Sequence, residues 1–276
     1  MLSMAEHIQR KLNWIEKNVP EGLLVDAAWL SRHGYSTSLR SQYVSAGWLA
    51  QPTRGVYRRQ RGTLSWQQAI ISLQTILDAT SLVVGGRTAL ELQGYAHYLR
   101  QSTKEVHLYG LRRPPSWLNK LNLGVTFVYH NDQRLFSKSP VIGGLLGKGT
   151  NARDDSVTIL PWDQWEWPLT LSSLERAFLQ MLNELPDRES FHQVDKLFEG
   201  LTNLSPRRLT TLLADCQSVK VKRLFVYFAS RHQHAWLKRI DIRMIDLGKG
   251  KRMLVKGGRL DAATQITVPE DMDGVR

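Results

Sequence analysis

The stretch Ser36-Thr37-Ser38-Leu39-Arg40-Ser41-Gln42-Tyr43-Val44-Ser45-Ala46-Gly47-Trp48-Leu49-Ala50-Gln51-Pro52-Thr53-Arg54-Gly55-Val56-Tyr57-Arg58-Arg59 decides the fold. Ser36 is a side-chain acceptor in position to cap a helix. Leu39 and Tyr43 share one face of that helix, with Arg40, Ser41 and Gln42 outside the apolar stripe, and Gly47 ends it. Trp48 to Gln51 and Val56 to Arg59 then read as two short strands, joined by turn residues at Pro52, Thr53, Arg54 and Gly55. Upstream, Ile8, Leu12 and Ile15 recur at helical spacing between Ala5 and Asn18, where Pro20 and Gly22 stop the pattern. Leu23 to Leu30 is predicted to be a short second helix turning at Gly34.

Helix, helix, turn, helix, hairpin is the order of a winged helix-turn-helix over residues 1–62. Hydrogen-bonding groups at the turn-side end, Tyr35, Ser36, Thr37 and Ser38, let a helix N-terminus approach phosphates and base edges, and Ser41 is a further DNA-contact candidate. Arg40 suits a guanine edge and Gln42 an adenine edge. Arg54, Arg58, Arg59 and Arg61 load the wing with cations for phosphate. The same module could instead serve protein contacts, an alternative that the charge of the wing disfavours.

Charge points the same way. The 276 residues carry a formal net charge of +12, which favours a polyanionic partner such as double-stranded DNA. By segment the charge is +5 over 1–62, +6 over 63–153, −6 over 154–216 and +7 over 217–276. Alternation on this scale predicts two basic contact surfaces, the second formed by Lys220, Lys222, Arg223, Arg231, Lys238, Arg239, Lys249, Lys251 and Arg252. That surface would track phosphates or meet an acidic partner or RNA. The aromatics among these cations, Phe225, Tyr227, Phe228 and Trp236, fit a core stripe better than base-stacking platforms.

Residues 63–276 read as a second, larger domain, mixed α/β and then mainly helical from about residue 169, so the chain as a whole is α+β. Helices are expected at Trp66–Leu77 and Thr88–Leu92, and strands at Val106–Tyr109 and Val125–Tyr129. A Trp-rich stretch, Pro161 to Pro168, is expected to be a hinge, and Ser172-Ser173-Leu174-Glu175 a capping box. Further helices are expected around Phe191–Phe198, after Ser205-Pro206 and from Lys222 to Trp236, before a Gly- and Lys-rich tail of strands and turns. No apolar run has the roughly 18 residues of a spanning helix, and Met1 to Lys11 lacks the apolar core of a signal peptide, so a cytoplasmic location without membrane contact is expected. The single cysteine, Cys216, permits no internal disulfide and reads as a small buried group.

No enzyme, cofactor or metal is indicated by the residues. The best catalytic rival is a Gly85-Gly86 loop entering a helix, with a strand carrying Glu105 and His107 at alternate positions, similar to a nucleotidyltransferase. Such an enzyme needs two carboxylates there, and an imidazole is a poor ligand for magnesium. Gly147-Lys148-Gly149-Thr150 lacks the hydroxyl position of a phosphate loop, and Asp154-Asp155 reads as a solvated turn. His192, His232 and His234 are expected at the surface or facing DNA, since His232 and His234 would leave a helix on different sides.

Several short stretches, in order along the chain, together resemble the AbiEi-type antitoxins of type IV toxin-antitoxin (abortive infection) systems. They are Leu39 to Tyr57, Leu174-Glu175-Arg176-Ala177, Asp246-Leu247-Gly248-Lys249-Gly250-Lys251-Arg252, Lys256-Gly257-Gly258-Arg259-Leu260 and Ile266-Thr267-Val268-Pro269. The resemblance implies a phage-defence autorepressor that binds inverted repeats in the operator of its own operon. It also implies a C-terminal domain that counters a nucleotidyltransferase-like toxin, with or without a stable complex. A winged-helix repressor with a ligand-sensing second domain is the alternative, and an active nucleotidyltransferase stands behind it.

Overall fold

The computed structural model describes residues 4–60, 62–79, 81–95, 105–140, 142 and 155–274. Helix α1 (Met4–Asn18) leads into strand β1 (Leu24–Asp26), helices α2 (Ala27–Arg32) and α3 (Thr37–Ser45), and the hairpin β2 (Leu49–Thr53) and β3 (Val56–Arg59). The three strands form an antiparallel sheet in the order β1-β3-β2, the arrangement of a winged helix-turn-helix head. One boundary is corrected: the helix expected from Leu23 begins at Ala27, because Leu24, Val25 and Asp26 pair with Arg58, Tyr57 and Val56. Asp26 then caps α2, its carboxylate accepting from the Trp29 N–H at 2.7 Å.

The body is built on a five-stranded mixed sheet with the order β6-β5-β4-β8-β7. Its strands are β4 (Val83–Val84), β5 (Glu105–Gly110), β6 (Thr126–Asn131), β7 (Val157–Trp162) and β8 (Trp167–Ser172), with β5 parallel to β6 and β4 parallel to β8. Helices α4 (Trp66–Thr75) and α5 (Gly86–Leu90) precede β5, and α6 (Leu174–Asn183), α7 (Phe191–Gly200), α8 (Pro206–Asp215) and α9 (Val219–His232) follow β8. A small hairpin of β9 (Arg259–Asp261) and β10 (Ile266–Val268) closes the tail. The α+β class and the helical second half agree with the sequence.

Two local expectations change. The Trp-rich stretch is no hinge: Pro161 and Trp162 end β7, Trp167 and Pro168 open β8, and Trp162 pairs with Trp167 across a tight turn. Asp163 and Glu166 at its ends both take left-handed backbone, and alternating side chains let the strand pattern absorb so many aromatics. The capping box is also displaced. Ser173 caps α6 by accepting from the Arg176 N–H, while the buried Glu175 carboxylate accepts from the Ser205 N–H at 2.8 Å and pairs with Arg208 at 2.7 Å.

Head and body share an apolar core. Period-2 alternation sends Val25 and Tyr57 into the head with Ile15, Trp29, Leu30, Tyr35 and Tyr43. Leu24 and Val56 point the other way, into the body's main core with Leu23, Ile70, Ile71 and Leu73. The boundary expected at residue 62 therefore falls where the packing is continuous, and residues 1–62 alone would expose those side chains.

Helix α4 holds this junction with two buried polar side chains. Ser72 Oγ accepts from the Leu24 N–H at 2.7 Å and donates to the Gln68 carbonyl. Gln74 donates to the Leu82 and Thr170 carbonyls, both at 2.9 Å, and accepts from the Thr170 N–H at 3.0 Å. With β4 only two residues long, this amide takes the place of a missing strand neighbour beside β8. Replacing Gln74 by Leu strands three buried backbone groups and is expected to cost roughly 3 kcal/mol or more, read as a lower urea midpoint at an unchanged m value.

Candidate nucleic-acid interface

Helix α3 follows the capping rule on which its reading rested: Ser36 Oγ accepts from the Leu39 N–H at 3.3 Å. Its exposed positions are Thr37, Ser38, Ser41, Gln42 and Ser45. At about 100° per residue these fall within an arc of about 140°, a single outward stripe. Behind it, Tyr43 is fully buried, edge-on to Trp48 at 5.2 Å and to Tyr35 at 6.2 Å. The Tyr35 hydroxyl donates to the Lys11 carbonyl at 2.8 Å, which ties α1 to the base of α3.

Arg40 is not on the stripe, which corrects its expected part in reading guanine. It is 7% exposed, and its guanidinium donates to the Ala27 carbonyl at 2.7 Å, Ser31 Oγ at 2.8 Å and Thr37 Oγ1 at 2.9 Å. The helical position that put Arg40 beside Ser41 in sequence places it 100° away on the surface, facing α2. What it does is set the angle between α2 and α3.

The wing is corrected in the same way. Arg54 is exposed at the β2–β3 turn, where Gly55 has a φ of +78° that a side chain would strain. Arg59 is half-buried and reaches the Glu16 carbonyl at 3.5 Å. Arg58, by contrast, is buried and donates to the Arg59 and Gly62 carbonyls, and desolvation pulls its pKa below the ordinary guanidinium value. Arg61 lies outside the described residues.

The second basic surface divides. Arg223 is 1% exposed and donates to three tail carbonyls: Leu247 at 2.6 Å, Gly250 at 2.7 Å and Gln265 at 3.1 Å. Lys220 caps the end of α6 at the Asn183 and Leu185 carbonyls, and burial lowers its pKa. Arg231 makes a two-point pair with Asp195, at 3.0 and 3.1 Å, and also bonds the Met272 carbonyl. These three are internal fastenings and leave the predicted surface; Lys222 is half-buried. Lys238, Arg239, Lys249, Lys251 and Arg252 are exposed, as are Arg243 and Lys256. The signal for this split was the helical phase of α9, whose apolar stripe also carries Arg223.

His232 and His234 also turn inward, to Asp195 at 2.8 Å and the Phe198 carbonyl at 2.8 Å, rather than toward solvent or DNA. Of these three, His192 is at the surface as expected, beside Asp271 at 3.1 Å.

At the catalytic rival, the Gly86 N–H donates to Gln180 at 3.0 Å, and a Cβ on Gly85 would meet the same amide at 2.3 Å. His107 is 3% exposed, with Nδ1 at 3.0 Å from His130 Nε2 and Nε2 at 3.7 Å from Glu105. His130 in turn contacts Glu184 at 3.2 Å. The second carboxylate position is therefore filled by an imidazole engaged in a histidine pair, and among the described residues no group of three His, Cys, Asp or Glu is arranged to hold a metal. Gly147 to Thr150 and Asp154 lie outside the described residues.

A winged helix-turn-helix head fused to a mixed α/β body is the class that this geometry defines. A family model described as the AbiEi antitoxin N-terminal domain, a transcriptional regulator, matches residues 8–101. A second, described as a transcriptional regulator, AbiEi antitoxin, of a type IV toxin-antitoxin system, matches residues 103–269, and the chain belongs to this family. The fold is similar to that of the RV2827C protein from Mycobacterium tuberculosis, known from a crystal structure, with 16% identity and a TM-score of 0.55 over 94% of this chain and 89% of that one. No curated protein matches the chain.

Two outcomes are expected. Arg40→Ala should destabilise the protein by roughly 2–4 kcal/mol, and Arg40→Lys should not restore it because an ammonium cannot replace the three-way fork, both by urea unfolding. The second concerns acid. Burial and, next, the charge of His130 hold the His107 pKa down to about 4, so the unfolded chain takes up its proton first as pH falls. The associated stability is fully present above about pH 6.5 and is lost on descending toward pH 4, on the order of 3 kcal/mol in all. His107→Phe should flatten that part of the stability–pH curve.

Proposed function

We propose that the chain is a DNA-binding autorepressor that also counters a nucleotidyltransferase-like toxin, and that it is not itself an enzyme. The observation that carries the DNA reading is the uncharged, hydrogen-bonding stripe of α3, backed by a buried aromatic wall and followed in the chain by a hairpin carrying Arg54 and Arg59. A helix so presented fits a major groove, with the wing cations on the phosphates. Exposed Lys238, Arg239, Lys249, Lys251 and Arg252 supply a second area for polyanion contact. Membership of the antitoxin family supports the toxin as functional partner, and operator DNA of inverted repeats as the target. Against catalysis stands the His107–His130 pair, which occupies the place where a transferase would present a second carboxylate.

Full-length protein is the material for the test. Arg54→Ala with Arg59→Ala should weaken binding to all sequences alike and flatten the dependence of log K on log salt by about 0.9 for each phosphate contact removed, measured by fluorescence anisotropy. Charge reversal of Lys249, Lys251 and Arg252 should reduce the slope again, and a growth assay with the co-expressed toxin shows whether neutralisation uses the same surface. Slopes unchanged in both variants would mean that these cations do not meet DNA.

A further inference from the structure

We infer that operator readout by this protein is centred on adenine, through the side-chain amide of Gln42, and involves no guanine-reading cation on the recognition helix. The inference rests on the DNA-binding reading above and specifies its target. Three observations lead to it. Helix α3 contains one cation, Arg40, and that cation is spent on Ala27, Ser31 and Thr37. The outward stripe of Thr37, Ser38, Ser41, Gln42 and Ser45 is consequently without charge. Four of these five side chains are short hydroxyls, so Gln42 alone is long enough to reach beyond them, and its amide has no partner among the described residues.

The chemistry of base edges then selects the base. A primary amide offers one donor and one acceptor side by side. Adenine presents the matching acceptor N7 and donor N6 in the major groove, whereas guanine presents two acceptors, N7 and O6, which would set the Gln42 carbonyl against an oxygen. Hydroxyls donate or accept and so tolerate either purine, and they are small enough to let the helix come close. Thr37 is further restricted because its oxygen already accepts from Arg40. Sequence information should therefore be concentrated at one adenine in each half-site, with weak preference at the flanking positions.

Gln42 is exposed and makes no contact that the head depends on, so its variants test readout without unfolding the protein. Selection from a randomised duplex library by full-length wild type should enrich one invariant adenine per half-site. Gln42→Ala should flatten that position, with a loss of about 5- to 150-fold in preference, and Gln42→Arg should move it to guanine. Replacing the selected adenine by 7-deaza-adenine should weaken wild type but leave Gln42→Ala unaffected. An adenine that survives in the Gln42→Ala consensus, or indifference of wild type to the 7-deaza base, would overturn the inference while leaving DNA binding intact. A wild-type protein that enriches no sequence at all would overturn the DNA-binding reading itself, and this inference with it.

Discussion

The hydrogen bonds of Ser72 and Gln74 on α4 are the constraint on which the architecture depends. One binds the first strand of the head at Leu24, and the other binds β4 and β8 of the body at Leu82 and Thr170. Each is buried in apolar surroundings, so each bond is expensive to break and fixes a register as well as a contact. Because Leu24 and Val56 enter the body's core while their neighbours Val25 and Tyr57 enter the head's, a one-residue slip of β1 would send Leu24 and Val25 each into the wrong core. Head and body are consequently joined through a wall of packed side chains.

The chain turns several of its arginines inward. Arg40, Arg58, Arg176, Arg223 and Arg231 are each engaged with carbonyls, hydroxyls or carboxylates in the interior or just beneath the surface. The Arg176–Asp132 pair is the extreme case, both side chains fully enclosed and the guanidinium lying 4.1 Å from the Phe136 ring centroid. Guanidinium suits this work because it donates in several fixed directions at once, and a loop of carbonyls needs that many donors. The net charge of +12 thus overstates what a partner meets.

How much could be read beforehand follows from the range of each signal. The N-cap at Ser36, the wing turn at Arg54-Gly55, the strands at Val106 and Val125, and the helices around Phe191–Phe198 and after Ser205 are fixed by residues within a turn of each other, and all were legible. The start of α2 was not, because Leu24 and Val25 suit helix or strand equally and only the distant Val56-Tyr57 decides between them. Arg40 and Arg223 were misread for a related reason: polarity suggests the surface, whereas their phase on the helix and the free carbonyls around them come from elsewhere in the fold. The resemblance to the family was carried largely by such structural positions. Arg176 holds Asp132, Leu247 and Gly250 receive Arg223, and Gly258 passes so close to Val268 that a Cβ there would lie 2.3 Å from its carbonyl.

Arg223 gathers three carbonyls from separate turns of the tail around one hidden charge. The cations outside it, Lys249, Lys251 and Arg252, thereby keep a set spacing although they sit in a segment rich in glycine, whose backbone would otherwise wander. A freely moving basic tail must surrender conformational freedom when it grips a polyanion, and that loss is subtracted from the affinity. Here the ordering is done during folding, so the charges meet their partner as a preset array whose pitch, more than their number, decides which surface they match.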